Sequence, residues 1–326
     1  MNTAVWPEFE PIIKKGGQAV PLEQMPLQAA RETMDRALIR WAGKSARGCV
    51  VGDLVVPSTA TQIPVRVYTP AASIASARPA ILMFHGGGFL LGSLDAQDAL
   101  AHRVAAGTDC VVISVDYRRA PENPFPAAVD DGFAVYLWVH ASADALGIDA
   151  ARVGVLGESA GATIATAVAL KARDYGRPPT VAFLAYPPLS ASLTTQSWQR
   201  LGSDYWLTRD TMTWFWRQYL GGKPHHVDGY AQPLHAQFFF GFPSTILITG
   251  SLDPLCDEIA QFHKRLREAG VAVNYEVVDG AIHGFLSMSA ISSRADNLLN
   301  QYIASLRAIV HSDSTSTERV PPHQRL

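Results

Sequence analysis

The sequence predicts an α/β protein with a mostly parallel central sheet, helices on both faces of that sheet and an added helical cap. Short runs rich in β-branched residues are almost unbroken in apolar character, which is typical of strands buried on both faces. These runs alternate with longer segments that can serve as crossover helices. Of the 326 residues, 48% are apolar, so the chain can bury a large core.

Seven apolar runs predict the strands, and each is followed by a turn signal or a helical segment. The strands are residues 63–69, 79–85, 110–117, 152–157, 180–186, 244–250 and 273–279. The segments between them predict crossover helices over residues 95–106, 127–143, 159–174 and 256–269. Gly270 stands directly after the last of these helices, where a glycine commonly ends a helix.

Two segments do not fit this alternation and are assigned to a cap. Residues 1–45 precede the first predicted strand, and residues 190–225 form an insertion between two strands. The insertion carries an aromatic cluster, namely Trp198, Tyr205, Trp206, Trp214, Phe215, Trp216 and Tyr219. The core is then formed by residues 46–189 and 226–310, and the polar tail 311–326 is expected to be disordered.

Composition and charge exclude several classes of partner. The 27 Lys and Arg against 29 Asp and Glu leave a net charge of −2, which gives no reason to expect nucleic acid or an anionic membrane. The first residues lack the order of a secretory signal, and no apolar run approaches the roughly 18 residues of a membrane span. We therefore expect a cytoplasmic protein with no stable membrane insertion. A homodimer is a further possibility that the composition does not exclude.

Metal binding is also not expected. The three cysteines, Cys49, Cys110 and Cys256, are too scattered for a disulfide framework or a zinc site, and they are expected to be reduced thiols. The adjacent pair His225-His226 is not expected to bind a metal, because neighbouring side chains diverge and no further ligand is suitably spaced.

Gly157-Glu158-Ser159-Ala160-Gly161 follows one predicted strand and opens a helix. This strand–turn–helix setting is typical of a nucleophile elbow, in which a strained serine exposes its Oγ. Upstream, His85-Gly86-Gly87-Gly88-Phe89 closes the run 80–84. Consecutive glycines stabilise no regular element, but they allow backbone N–H groups to converge on a developing negative charge. We expect His85 to orient this loop through hydrogen bonds.

A general base and an acid are expected to follow the serine along the chain. Asp253 lies just after the strand 244–250, and His283 lies after the strand 273–279. Both positions are at the carboxyl ends of strands, where α/β sheets place their ligands. Ser159, Asp253 and His283 in this order therefore indicate a catalytic triad.

Together these motifs resemble the bacterial hormone-sensitive-lipase-like esterases, which are family IV carboxylesterases with the α/β-hydrolase fold. The motifs that carry the resemblance are HGGGF, VDYRRAPENPFPAAVDD (115–131), GESAG, DPLCDE (253–258) and HGF (283–285). The resemblance implies that Ser159, Asp253 and His283 form the triad, and that Gly87, Gly88 and Ala160 supply the oxyanion N–H groups. His85 and Gly86 would support the loop.

Glu158 departs from that family's pattern, because many relatives carry Asp at this position. We expect its side chain to support the loop that bears Asp253, Asp257 and Glu258. For the substrate pocket, the candidates are Phe89, Tyr205, Trp206 and Trp214.

The function expected from these residues is hydrolysis of small carboxylic esters with short to medium acyl chains, through an acyl-enzyme and without a metal or organic cofactor. An amidase, peptidase or lactonase on the same fold remains an alternative, because specificity lies in the pocket. A ligand-binding receptor is a further alternative. Plant gibberellin receptors resemble this family but lack the triad histidine, which this sequence retains as His283.

Overall fold

The computed structural model describes residues 4–45, 48–71, 77–223 and 228–312 of the chain. His225-His226 and most of the predicted tail lie outside these residues. One sheet of eight strands runs in the spatial order β1-β2-β4-β3-β5-β6-β7-β8. The strands are β1 Cys49–Pro57, β2 Gln62–Pro70, β3 Arg78–Phe84, β4 Val111–Val115, β5 Ile148–Glu158, β6 Val181–Ala185, β7 Ser244–Gly250 and β8 Val273–Val278.

Strand direction and burial confirm the predicted mostly parallel sheet. Among the described strands, β3 to β8 run parallel to one another, and β2 is antiparallel to both of its neighbours, β1 and β4. Every residue of β4 and β6 is buried, as unbroken apolar runs predict for strands covered on both faces.

Helices connect the parallel strands and cover the sheet. They are α1 Glu10–Gly16, α2 Leu27–Ala42, α3 Leu94–Thr108, α4 Ala127–Ala141, α5 Ala143–Leu146, α6 Ala160–Asp174, α7 Gln196–Leu201, α8 Arg209–Tyr219, α9 Cys256–Glu268 and α10 Ser293–Val310. Helix α3 links β3 to β4, and α4 lies in the connection from β4 to β5, which runs in the opposite direction along the sheet. Right-handed crossovers therefore place these two helices on opposite faces. Helix α10 packs with α3, and α6 packs with α4.

The edge strand β1 was not predicted. Its side chains are mostly exposed, with Val50 at 67% and Val55 at 55%, and its strand partner in the described part of the chain is β2. Such a strand depends on its partner's backbone and not on a buried face, so it leaves no hydrophobic pattern in the sequence.

The two segments assigned to the cap contact each other. Helices α1 and α2 come from the first segment, and α7 and α8 come from the insertion. The ring of Trp206 lies edge-on to Trp41 with centroids 5.1 Å apart, and the Thr211 hydroxyl donates to Glu23 Oε2 at 2.8 Å. The N-cap of helix α8 is Thr208, whose side chain accepts from the Thr211 N–H.

Within the described ranges, no helix is both long enough and apolar enough to cross a membrane.

Candidate active site

The carboxyl ends of four parallel strands bring the predicted site residues to one edge of the sheet. The glycine loop follows β3, Ser159 follows β5, Asp253 follows β7 and His283 follows β8. Because these strands are parallel, their carboxyl ends lie on the same side, which is where α/β proteins bind ligands.

Two hydrogen bonds join the three residues predicted as a triad. Ser159 Oγ lies 2.8 Å from His283 Nε2, and His283 Nδ1 lies 2.8 Å from Asp253 Oδ2. Asp253 is fully buried, and its Oδ1 accepts from the Leu255 N–H at 2.9 Å. An ionised carboxylate only accepts, so Nδ1 carries the proton and Nε2 is free to accept one from the serine.

The turn after β5 holds Ser159 in a strained conformation. Its φ of 51° and ψ of −125° lie outside the regions that a side chain with a Cβ normally adopts. The strain is held by close packing, since a Cβ at Gly161 would lie only 2.1 Å from the Phe84 carbonyl oxygen. The serine hydroxyl is thereby exposed at the start of α6, as the motif predicted.

The glycine loop lies directly against this turn. A Cβ on Gly86 would come within 3.2 Å of the Glu158 carbonyl oxygen and 3.6 Å of Ser159 Cβ. Gly87 and Gly88 both have positive φ, at 119° and 59°. Ala160 is the first residue of α6, and the first N–H groups of a helix have no acceptor within it. The loop that carries Gly87 and Gly88 is thus packed, through Gly86, against the turn that carries Ser159 and Ala160.

His85 lies behind the loop and contacts its backbone. Its Nδ1 donates to the Gly86 carbonyl oxygen at 2.8 Å, and the Tyr117 hydroxyl donates to the His85 carbonyl oxygen at 2.8 Å. Burial lowers the pKa of His85 to about 4, so the ring is neutral near neutral pH. These contacts are those expected of a residue that orients the loop.

The four pocket candidates do not occupy equivalent positions. Phe89 is buried, and its ring stacks on Tyr219 with centroids 3.9 Å apart, so it fastens the glycine loop to α8. Trp206 packs between Trp41 and the backbone of Gly16, which joins the two cap segments. Tyr205 is half-buried against the hydrophobic core.

Phe215, which was not among the pocket candidates, lies directly on the glycine loop. A Cβ built on Gly88 would be 2.3 Å from the Phe215 ring. Trp214, the neighbouring candidate, is half-buried and its ring centroid lies 5.1 Å from that of Phe215. The sequence placed both rings in the insertion, but consecutive helical residues point about 100° apart, and only packing decides which one meets the loop.

The predicted contacts of Glu158 were wrong. Its carboxylate accepts from Tyr186, Ser287 and Gln97, and none of these lies on the loop that bears Asp253. In the first turn of α9, which follows that loop, Asp257 Oδ2 accepts from the Ser197 N–H at 2.7 Å, and Glu258 Oε1 accepts from the Leu189 N–H at 2.6 Å.

Burial shifts the pKa of several groups around the triad. Burial raises the pKa of Glu258 to about 8 and that of the Cys256 thiol to about 12, in both cases with a further contribution from the negative charge of Asp253. Burial also raises the pKa of Glu158, and its hydrogen bonds from Tyr186 and Ser287 oppose that shift. Among the residues that the structure describes, no group of three or more His, Cys, Asp or Glu is arranged to hold a metal ion.

The chain matches a known protein family and several characterised relatives. A family model described as the α/β hydrolase fold matches residues 81–287, which is more than half of the chain. An ethyl acetate hydrolase from Pseudomonas putida is 33% identical over 298 residues, which cover 90% of this chain and 94% of that protein. The carboxylic ester hydrolase LipN from Mycobacterium tuberculosis is 36% identical over 265 residues, covering 79% of this chain and 70% of LipN.

Solved structures give the same result. An α/β hydrolase enzyme from the metagenome of Lake Arreo superposes with a TM-score of 0.88 at 32% identity, covering 93% of this chain and 98% of that one. A hyperthermophilic esterase from Pyrobaculum calidifontis gives a TM-score of 0.87 at 32% identity, with coverage of 94% and 99%.

This chain therefore belongs to the α/β-hydrolase fold family. The predicted resemblance to the hormone-sensitive-lipase-like esterases is confirmed, and so is the predicted class, a serine hydrolase of the carboxylesterase type.

Proposed function

We propose that this enzyme hydrolyses small carboxylic esters with short to medium acyl chains, with Ser159 as nucleophile, His283 as general base and Asp253 as the residue that orients the base. The observation that carries the proposal is the pair of 2.8 Å hydrogen bonds that run from Ser159 through His283 to Asp253. A serine with an adjacent, correctly oriented base is activated for acyl transfer.

In the first half of the reaction, Ser159 Oγ attacks the ester carbonyl carbon and gives its proton to His283 Nε2. The carbonyl oxygen becomes an oxyanion, and we assign its binding to the N–H groups of Gly87, Gly88 and Ala160. One such donor contributes about 3–4 kcal/mol to transition-state stabilisation in a comparable acyl-transfer enzyme. The imidazolium then protonates the leaving alcohol as the ester C–O bond breaks.

In the second half, water attacks the acyl-enzyme and gives its proton to the same nitrogen. The acid product leaves as Ser159 recovers its proton, so every proton that is taken up is returned. The proposed reaction needs no metal or organic cofactor.

The short acyl pocket is proposed from the position of Phe215. Its ring covers Gly88, which the proposal places at the reacting carbonyl, so the ring limits the space beside the acyl group. Each methylene buried should add about 0.8 kcal/mol until the acyl chain meets this wall. The similarity to an enzyme named for ethyl acetate hydrolysis also supports a small substrate.

We propose that residues 1–45 and 190–225 together form the cap over this pocket. The contacts of Trp206 with Trp41 and of Thr211 with Glu23 support this assignment, since they join the two segments. The proposed cytoplasmic location is supported by three free thiols, at Cys49, Cys110 and Cys256. The homodimer remains a prediction, and light scattering on the purified protein would test it.

The catalytic proposal is tested with a panel of p-nitrophenyl esters and the matching anilides, on wild-type enzyme and on Ser159→Ala. We expect the wild type to hydrolyse the esters, and Ser159→Ala to lose both this activity and labelling by a fluorophosphonate. Faster cleavage of the anilides would make the enzyme an amidase, and labelling that persists in Ser159→Ala would refute the nucleophile assignment.

The pocket proposal is tested by the acyl chain length of the same esters. We expect the highest kcat/KM between acetate and hexanoate and a steep fall by decanoate. Phe215→Ala should move the optimum to longer chains, and the neighbouring Trp214→Ala serves as the comparison because its ring is not the one that covers Gly88. A wild-type preference for laurate or palmitate would contradict a short pocket.

A further inference from the structure

A buried carboxylate sits directly beside the nucleophile and receives three hydrogen bonds. Glu158 precedes Ser159 in the chain and is 2% exposed. The Tyr186 hydroxyl donates to its Oε1 at 2.7 Å, and the Ser287 hydroxyl donates to its Oε2 at 2.9 Å. The Gln97 side-chain amide donates to Oε2 at 3.0 Å.

All three donors are neutral, so this carboxylate is buried without help from a cation among them. Burying a carboxyl group costs free energy, and hydrogen bonds offset only part of that cost. The proposed reaction gives Glu158 no chemical step.

Two of the three partners are close to the catalytic base His283, one along the chain and one in space. Ser287 lies four residues after His283, in the 3₁₀ helix Phe285–Met288 that continues the histidine loop. Tyr186 follows β6, and its ring lies edge-on to the His283 imidazole with centroids 5.0 Å apart. The third partner, Gln97, lies on α3 and not on the histidine loop.

We propose that Glu158 is a positioning residue that fixes the distance between Ser159 and His283, by holding the histidine loop through Ser287 and the imidazole face through Tyr186. Its backbone is continuous with the nucleophile, so its side chain connects the two reacting groups independently of Asp253. This inference rests on the proposed serine-hydrolase function.

Five substitutions separate positioning from simple stabilisation. Ser287→Ala and Tyr186→Phe each remove one hydrogen bond on the path to His283. Gln97→Met removes a hydrogen bond to the same carboxylate and keeps a similar volume, but it lies outside that path. Glu158→Gln keeps an acceptor oxygen, and comparison with Glu158→Ala tests rescue by the conservative variant.

We expect Ser287→Ala and Tyr186→Phe each to lower kcat on p-nitrophenyl butyrate several-fold and to leave KM within about twofold. Misplacement of a catalytic group by about 1 Å can cost as much as 100-fold in rate, and Glu158→Ala should approach this loss. Glu158→Gln should recover part of it. Gln97→Met should keep kcat within about twofold of the wild type, even if its melting temperature falls as far as that of Ser287→Ala.

The rate of fluorophosphonate labelling gives a second readout, which does not depend on the ester chosen. The inference is overturned if Ser287→Ala and Tyr186→Phe keep the wild-type kcat and labelling rate. It is also overturned if Gln97→Met loses as much kcat as they do, since the loss would then follow stability alone. A wild type that neither cleaves esters nor reacts with the probe would instead refute the proposed function.

Discussion

Substitution of Asp253 by Asn gives a strong test of the triad, because the surrounding hydrogen bonds dictate how the new amide must lie. The two carboxylate oxygens have separate partners. Oδ1 accepts from the Leu255 N–H at 2.9 Å, and Oδ2 faces His283 Nδ1 at 2.8 Å. Asparagine has the same shape but only one acceptor oxygen. One of the two contacts must therefore change.

The backbone N–H of Leu255 can only donate, so the asparagine oxygen is held on its side and the amide NH₂ faces His283 Nδ1. That nitrogen must then accept, and its proton moves to Nε2. Nε2–H now points at Ser159 Oγ, so no acceptor is left for the serine proton. A triad forced into this tautomer loses about 10⁴ in kcat, which is about 5.4 kcal/mol of transition-state stabilisation.

The assay is kcat on p-nitrophenyl butyrate, with the rate of fluorophosphonate labelling alongside. Asp257→Asn is the matched control, because Asp257 lies four residues further on, in the first turn of α9, and its carboxylate binds the Ser197 N–H and not the histidine. We expect the control to remain within a few-fold of the wild type. An Asp253→Asn enzyme that stays within tenfold of the wild type would refute the tautomer argument.

Three further predictions concern side chains with a shifted pKa. Because burial raises the pKa of Cys256 to about 12, iodoacetamide at about pH 8 should alkylate the native enzyme slowly and leave its activity intact; rapid inactivation would contradict this. Burial raises the pKa of Glu258 to about 8, so the folded state keeps a proton that the unfolded state releases above about 4.5, and stability falls as pH rises between these values. The melting temperature of Glu258→Gln, relative to that of the wild type, should therefore rise from about pH 5 to pH 8. A difference in melting temperature that is constant with pH would contradict the raised pKa. The Arg31 guanidinium lowers the pKa of Glu122 to about 2, so any melting-temperature loss in Glu122→Gln at neutral pH should disappear as pH falls from about 4.5 towards 2.

The sequence was most informative for functional residues that lie in short motifs directly after a strand. The elbow around Ser159 and the loops of Asp253 and His283 each follow an apolar run, so strand position and motif identify the same residues. The edge strand β1 had no such signal, since its exposed valines give no inside–outside pattern. Its pairing with β2 is a property of the sheet and not of residues 49–57 alone.

The contacts of Glu158 show why a network of side chains was harder to predict. Sequence placed Glu158 next to the nucleophile but could not give the strand order around it. Strand β6 lies between β5 and β7, so the loop of Asp253 begins two strands away, at roughly 10 Å. The partners within reach lie just after β6, on α3 and after His283, and Ser287 is 129 residues away in the chain.

Helix α8 and the glycine loop are also connected in a way that limits how the proposed pocket can be altered. Tyr219 stacks on Phe89 and Phe215 covers Gly88, so rings of α8 contact two adjacent residues of the loop. The ring proposed to limit the acyl chain therefore also contacts Gly88, a proposed oxyanion donor. Removing it creates space for longer chains, but it leaves Gly88, at positive φ and without a side chain, free to move. Phe215→Ala should accordingly lose kcat on acetate esters while it gains relative activity on longer esters. A Phe215→Ala enzyme that gained activity on longer esters and kept the wild-type kcat on acetate would show that other contacts hold the loop.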